Sequence, residues 1–299
     1  MKLPDLCRIG LACVALPGLL VQAAAATASQ ACEQATQHIP PRPAQSLTGS
    51  SFAQRVREIS GLERDREALE QLRAGNLPAF MRRAVPVEID TGAAPRRAKR
   101  ITLCVLPDYL AVGSDSDYLL MPLGLAAALS IAEAFAFTLP TTRIVDAIYA
   151  QADLRLKPQP LPPNDQMRST AYVLRHNAMV LQQRSAVPAA ASELTAGHKK
   201  DLVLTNRLWQ TLGRVAIYGW HRGVRAPIQP LSTVHGAGYA DYSHGVRLIG
   251  TTVFIDGQPR SLFDVLRDPL LSPLLSDEGP IEGIEELSRQ ALTARATGG

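Results

Sequence analysis

The sequence lacks a strong excess of charge of either sign. It carries 31 Lys and Arg against 27 Asp and Glu, which gives a formal net charge of +4 over 299 residues. The densest basic run, residues 96–100, is short and has no aromatic side chain between its charges. Because nucleic-acid-binding domains present clustered basic surfaces, we predict a solvated loop at 96–100 and no nucleic-acid partner.

The sequence also lacks an apolar run long enough to span a membrane comfortably. Lys2 and Arg8 precede an apolar stretch over residues 9–21, which is short and is interrupted by Pro17. The residues at 26–28 then read Ala-Thr-Ala, which is the small-residue pattern of a cleavage site. We predict a signal peptide at 1–28, a secreted or periplasmic protein, and no stable membrane span in the mature chain.

Cysteine is scarce, and two of the four cysteines, Cys7 and Cys13, belong to the predicted signal peptide. The mature chain then retains Cys32 and Cys104. In an oxidising compartment a lone pair of cysteines tends to form a disulfide. Cys104 as a buried free thiol is the alternative. A nucleophilic Cys104 is disfavoured, because its neighbours Leu103 and Val105 are apolar and no histidine lies nearby in the sequence.

Composition and periodicity predict an α+β fold, with a helical N-terminal half packed on a mixed or antiparallel sheet that the C-terminal half mainly forms. The predicted plan is an extended, loosely held arm at 29–50, one domain at 51–275 and a flexible tail at 276–299. Apolar spacing predicts helices over 51–74, 123–135, 143–152 and 167–184. Apolar runs predict strands at 85–89, 101–106, 202–204, 215–218, 246–249 and 251–255.

A hairpin is predicted over residues 109–121, around a turn of Gly, Ser and Asp. Asp115 and Asp117 in this turn have oxygen ligands of the kind that calcium prefers. No third acidic residue stands at loop spacing and no distal glutamate follows. A solvated turn is therefore the favoured interpretation.

Candidate site residues concentrate between Gly197 and Gly250, which holds four of the six histidines. Histidine titrates closest to neutral pH and is the commonest metal ligand, so this stretch predicts a site on strand ends and loops. The predicted acid, base and nucleophile candidates are His221, His235, Asp241, Ser243 and His244. The predicted substrate-binding candidates are His198, Lys200, Trp220, Tyr239, Tyr242 and Arg247.

If residues 239–246 were extended, Ser243 and His244 would point to opposite faces and could not act as nucleophile and base for each other. Arg247 would then be free to bind a carboxylate or polarise an oxyanion. Each histidine taken alone also has a structural interpretation, as a partner of backbone groups in a turn-rich sheet.

A divalent metal such as zinc is a further hypothesis, with His221, His235 and His244 as ligands and an open position for water. The spacings match no compact metal motif, since H-E-x-x-H is absent. We expect no nucleotide cofactor.

The segments VAIYGWH, SHGVRL and SLFDVL resemble the catalytic segment of the L,D-transpeptidases. That family carries an apolar strand ending in His-Gly, then Ser-His-Gly-Cys-x-Arg, then a helix. Ser243, His244, Gly245 and Arg247 match by type, and His235-Gly236 corresponds to the upstream pair. The nucleophilic cysteine is absent, because Val246 follows Gly245 directly. The resemblance covers about fifty residues and implies a cell-wall context without the transpeptidase reaction.

Four longer segments, PDYLAVGSDSDY, FTLPTTRIVDAIY, AGHKKDLVLTNRL and YADYSHGVRLI, resemble an uncharacterised group of secreted bacterial proteins. This resemblance covers most of the mature chain and implies export, but no activity.

These observations lead to two functional hypotheses. The first is an exported hydrolase of an extracellular or cell-wall polymer, such as peptidoglycan or another glycan. The second is a secreted non-catalytic protein that binds a glycan, a peptide or a small ligand by stacking it on Trp220, Tyr239 and Tyr242.

Overall fold

The computed structural model describes residues 30–90, 100–187, 194–284 and 286. The predicted signal peptide, most of the basic run at 96–100 and most of the predicted tail lie outside these residues. The fold is α+β, as predicted. Residues 30–35 are helical, and the named helices have the following bounds: α1 Gly49–Arg55, α2 Gly61–Arg73, α3 Leu125–Ala134, α4 Thr142–Gln151, α5 Thr170–Ser185, α6 Arg207–Gln210 and α7 Leu262–Arg267.

Two sheets organise the described strands, and two short strand pairs accompany them. The bounds are β1 Val85–Asp90, β2 Arg100–Val105, β3 Ala111–Gly113, β4 Tyr118–Leu120, β5 Phe137–Thr138, β6 Leu154–Arg155, β7 Thr195–Ala196, β8 Lys200–Leu202, β9 Ile217–His221, β10 Pro227–Ser232, β11 His244–Gly245, β12 Ile249–Ile255 and β13 Gln258–Ser261. The five-stranded sheet has the order β1-β2-β12-β13, with β5 also paired to β12, and the four-stranded sheet has the order β10-β9-β8-β11. The pairs are β3 with β4 and β6 with β7.

Local sequence accounts for where several helices begin. Thr141 caps α4 by accepting a hydrogen bond from the Ile144 amide, and Ser261 caps α7 in the same way. A capping hydroxyl satisfies one of the amides that a helix N-terminus leaves unpaired. Helix α3 is apolar almost all round and is largely buried, as the alanine-rich pattern predicts.

The continuous helix predicted over 51–74 is wrong, because α1 ends at Arg55 and α2 begins at Gly61. The Thr170 hydroxyl lies 3.0 Å from the Val56 carbonyl oxygen and 3.1 Å from that of Ile59, in the connecting turn. Gly61 has a φ of 58°, which favours glycine. The break between α1 and α2 thus coincides with a contact from Thr170 of α5, more than one hundred residues away. Helical spacing in the sequence did not indicate this break.

The segment predicted as a loosely held arm is attached to the domain by a disulfide and by hydrogen bonds. Cys32 and Cys104 form a disulfide, as predicted, and this joins the N-terminal helix to β2. Arg42 then donates hydrogen bonds to Asn76 Oδ1 at 2.9 Å and to the Gly113 carbonyl at 3.1 Å. The arm is therefore fixed by a covalent bond and by a guanidinium that satisfies several backbone carbonyls.

The two strands predicted at 246–249 and 251–255 are one strand, β12, which starts at Ile249. The hairpin at 109–121 is formed by β3 and β4. In its turn, Asp115 accepts a hydrogen bond from the Phe80 amide, and Asp117 accepts hydrogen bonds from the Ser50 amide and hydroxyl. The turn carboxylates therefore bind backbone groups of neighbouring segments.

Within the residues described, no helix combines the length and the apolar character that crossing a membrane requires.

Candidate functional site

The four-stranded sheet brings separate parts of the stretch from Gly197 to Gly250 together. Strand β11 runs parallel to β8, so that His244 is the register partner of Lys200. Strand β9 pairs with β8 on its other side, with Lys200 opposite Gly219. The sheet therefore places His244, Lys200 and Trp220 in adjacent strands.

Residues 241–244 form a turn, so the argument that assumed an extended segment over 239–246 does not apply. Asp241 Oδ1 accepts hydrogen bonds from the Ser243 amide at 2.8 Å and from the Ser243 hydroxyl at 2.6 Å. The His244 amide donates to the Asp241 carbonyl at 3.1 Å. An aspartate that binds the amide two residues ahead stabilises a turn of this kind. The Ser243 hydroxyl is thus a donor to a carboxylate and is buried.

The second carboxylate oxygen of Asp241 faces two aromatic groups. Tyr239 donates its hydroxyl to Oδ2 at 3.2 Å, and His244 Nε2 lies 4.0 Å from the same atom. Burial by itself raises the pKa of Asp241, but the positive charge that His244 carries when it is protonated and the Ser243 hydrogen bonds outweigh burial and hold the pKa below its ordinary value. Asp241 is therefore an ionised carboxylate at neutral pH.

His244 is fully buried beneath this carboxylate. Burial lowers its pKa to about 4, although Asp241 acts in the opposite direction. Neither ring nitrogen has a hydrogen-bond partner among the described residues. His244 is consequently a neutral imidazole at neutral pH, and it contacts the edge of the Tyr239 ring with the centroids 5.7 Å apart.

His235 is the half-buried histidine of the group. Its ring stacks on Tyr239 with the centroids 3.9 Å apart and the planes 10° from parallel. Burial lowers the pKa of His235, and the nearby Lys200 and Arg214 lower it further, while Asp241 opposes them. A neutral imidazole that solvent can reach is suited to accept a proton.

Lys200 completes the group. Its ammonium nitrogen lies 5.0 Å from the Trp220 ring centroid, within the range of a cation–π contact. Burial lowers the pKa of Lys200, against the pull of Asp241. We call these five side chains the acid–base cluster: Lys200, His235, Tyr239, Asp241 and His244.

Lys199, the neighbour of Lys200, points into the core. Its Nζ lies 2.6 Å from the Tyr242 carbonyl oxygen and 3.1 Å from His176 Nδ1. Burial lowers the pKa of Lys199 to about 7 and holds the pKa of His176 well below its usual range. Sequence reasoning assigned no role to either residue, because α5, which carries His176, is far from β8 in sequence.

Of the predicted catalytic residues, His221 lies outside the cluster. Its Nε2 is 2.8 Å from Asp146 Oδ1, and its ring stacks on Tyr149 at 4.6 Å. Tyr218 also donates its hydroxyl to Asp146 at 2.9 Å. Asp146 lies on α4, which the sequence marked only as an amphipathic helix.

Several predicted binding residues are enclosed in the fold. Arg247 is fully buried and donates to the carbonyls of Leu106 and Thr195. His198 Nε2 lies 3.2 Å from Asp108 Oδ1, and both side chains are buried. These groups stabilise the interior, so their charge is not directed at a ligand.

The predicted aromatic platform is also enclosed. Trp220 is only 6% exposed and has a φ of 56°, which is unusual for a bulky residue. Tyr242 is buried, with its hydroxyl accepting from the Leu161 amide at 2.7 Å. Tyr239 is already covered by His235 on one side. Little aromatic surface is therefore exposed at these three residues for a ligand to stack on, as the binding hypothesis requires.

The three-histidine metal site is not formed by the described residues. Among them, no group of three or more His, Cys, Asp or Glu side chains is arranged to hold a metal ion. His221 pairs with Asp146, while His235 and His244 both contact Tyr239 and have ring centroids 6.3 Å apart. The metal hypothesis required all three to converge.

A cavity of about 990 Å³ lies elsewhere, between the β3–β4 hairpin and α5. Its lining includes Phe80, Asp108, Tyr118 and Arg184. Asp108 and Arg184 form an ion pair with each other, so these two charges already have partners in the protein. The acid–base cluster, with its half-exposed histidine, is the stronger candidate for chemistry.

No protein-family model, no curated protein and no solved structure matches this chain.

Proposed function

We propose that this chain is an exported hydrolase that acts on an extracellular or cell-wall polymer, peptidoglycan or another glycan, through the acid–base cluster. Export is supported by the charged, apolar and small-residue pattern of residues 1–28. The buried disulfide between Cys32 and Cys104 is also typical of proteins that fold in an oxidising compartment. The resemblance of residues 243–247 to a cell-wall enzyme segment favours a wall polymer as the substrate.

The observation that carries the proposal is the environment of His235. A neutral, half-buried imidazole lies flat on Tyr239, whose hydroxyl is bound to the ionised Asp241. Lys200 supplies a cation whose pKa is also lowered. Enzymes that catalyse hydrolysis commonly transfer protons with a general base and a general acid that lie in one cluster and have shifted pKa values.

In the proposed reaction His235 removes a proton from water as the water oxygen bonds to the substrate carbon. The bond from that carbon to the leaving nitrogen or oxygen then breaks, and the Lys200 ammonium gives the leaving atom a proton. Return of the proton from His235 to Lys200 through solvent restores both groups. Asp241 and Tyr239 position the imidazole and offset its positive charge.

Ser243 has no part in this mechanism. Its hydroxyl donates to Asp241, and no histidine nitrogen forms a hydrogen bond with it among the described residues. A nucleophilic serine needs a base within hydrogen-bond reach. A water nucleophile therefore fits the cluster better than an acyl-enzyme does.

The test compares the mature, disulfide-bonded protein with two histidine variants on purified peptidoglycan and on neutral and acidic glycans. His235→Asn removes the base, and we expect release of soluble fragments to fall about 100-fold or more. His38→Asn is the matched control, since His38 is exposed on a distant 3-10 turn. Equal fragment release by the two variants, or none from the wild type on any polymer, would refute the proposal.

A further inference from the structure

Two pairs of side chains outside the acid–base cluster frame its half-exposed face. The first pair is Leu62 and Arg168. Leu62 is 71% exposed and lies over Gly238, where an added β-carbon would be 3.6 Å from Leu62 Cδ2. The Arg168 guanidinium lies 5.4 Å from the centroid of the Tyr239 ring and also faces Gly61, beside Leu62.

The second pair is Val234 and Arg214. Val234 is 73% exposed and directly precedes His235. Arg214 donates to the Val234 carbonyl at 2.6 Å and forms an isolated backbone bridge with Gly236. Each pair therefore offers one exposed aliphatic group and one guanidinium, and each is in contact with the segment that carries His235 and Tyr239.

The face is cationic. Arg168, Arg214 and Lys200 supply three positive charges, and none of them takes part in the salt bridges found among the described residues. The carboxylate of Asp241 is buried and is bound by Ser243 and Tyr239. A surface whose cations are not paired with carboxylates attracts anionic ligands.

We propose, on the basis of the proposed function, that this face binds an extended peptide segment carrying carboxylates and small apolar side chains. The carboxylates pair with Arg168 and Arg214, and the apolar side chains pack on Leu62 and Val234. A peptide fits better than a sugar chain, because the exposed apolar groups are aliphatic and Trp220 and Tyr242 are enclosed. The scissile bond over His235 is then an amide.

Binding of defined peptides tests this directly. The probe is a fluorescein-labelled peptide of alternating Ala and Glu, compared by anisotropy with the same peptide carrying Gln in place of Glu. We expect the Glu peptide to bind about tenfold or more tightly, with an affinity that falls as NaCl is raised. Arg168→Gln and Arg214→Gln should each weaken binding about threefold to tenfold. Arg260→Gln, an exposed arginine on β13, should leave it unchanged.

The outcomes separate this inference from the proposed function. Binding is measured with His235→Asn as well as with wild type, so that affinity is read without hydrolysis of the probe. Tight binding of the Glu peptide by both proteins, together with no release of fragments by wild type from any polymer, supports the docking face and refutes only the hydrolase. Equal binding of the Glu and Gln peptides, no effect of the two arginine variants, or no binding at all would overturn the inference. Preference for polygalacturonate over the Glu peptide would also overturn it, in favour of an acidic glycan.

Discussion

The disulfide between Cys32 and Cys104 should supply a large part of the folding stability. The perturbation is the double variant Cys32→Ala with Cys104→Ala, which removes the cross-link without leaving an unpaired thiol. Both side chains are buried, at 0% and 1% exposure, so alanine at either position introduces no polar group into the core.

The magnitude follows from the length of chain that the bond closes. The sequence separation is 72 residues. In the chain-entropy treatment, a loop of this length lowers the entropy of the unfolded chain enough to contribute about 4 kcal/mol at 25 °C. Since single domains have unfolding free energies of about 5–15 kcal/mol, this is a substantial fraction of the total.

The assay is urea unfolding of the wild type and the double variant, followed by circular dichroism. We expect the free energy of unfolding to fall by about 3–5 kcal/mol. A comparison variant is Arg42→Gln, which removes a guanidinium that donates to the Gly113 and Ser46 carbonyls and should cost about 1–3 kcal/mol, since it leaves these carbonyls unpaired. A double variant within about 1 kcal/mol of wild type would refute the reasoning that the bond constrains the unfolded chain.

Three further predictions concern the interior around the cluster. Burial lowers the pKa of Lys199 from 10.5 to about 7, so between pH 7 and pH 10.5 the unfolded chain binds more protons than the folded chain. The wild-type free energy of unfolding should therefore fall by up to about 1.4 kcal/mol per pH unit as the pH drops from 10 to 7. Lys199→Met should remove that slope in urea titrations at several pH values; an unchanged slope would contradict it. Gly245→Ala should destabilise the protein by about 1–3 kcal/mol or more, because the new β-carbon would lie 2.5 Å from Tyr109 Cδ1. The control Gly236→Ala, whose β-carbon would have its nearest neighbouring atom at 3.8 Å, should leave the melting temperature almost unchanged. Asp146→Asn should cost about 1–3 kcal/mol by weakening the contacts to His221 and Tyr218, and a wild-type melting temperature would show that these contacts contribute little.

Local signals in the sequence predicted much of the fold. The hydroxyl of Thr141 marks the start of α4, and Asp256-Gly257, a dipeptide typical of hairpin turns, joins β12 to β13. The disulfide followed from counting cysteines in a chain with a predicted signal peptide. These features depend on residues close together in sequence, or on the presence of only one possible partner.

Contacts between segments that are far apart along the chain could not be predicted from the sequence. Nothing local indicates that Thr170 binds carbonyls at Val56 and Ile59, or that Asp146 pairs with His221. Strand β10 was also missed, since Pro227 and Pro230 argue against a strand and are tolerated there because β10 lies at the edge of its sheet.

For the candidate site, the sequence located the stretch but not the roles within it. His235, Asp241 and His244 do lie together, because the turn at 241–244 places Asp241 beside His244 and Tyr239 contacts both histidine rings. Ser243 and Arg247 were assigned to chemistry from their type alone. The turn at 241–244 directs the Ser243 hydroxyl to Asp241, and the fold encloses Arg247, which periodicity could not reveal.

The pH dependence of fragment release from peptidoglycan tests the central proposal most directly. If His235 acts as the base, wild-type activity rises with pH to a half-maximum below 6.5, because burial and the adjacent cations lower the His235 pKa. Activity then declines in the alkaline range below pH 10.5 as Lys200 loses its proton. We expect His235→Asn to lose the acidic limb together with about 100-fold or more of the rate. A variant with the wild-type rate and the same acidic limb would contradict the account.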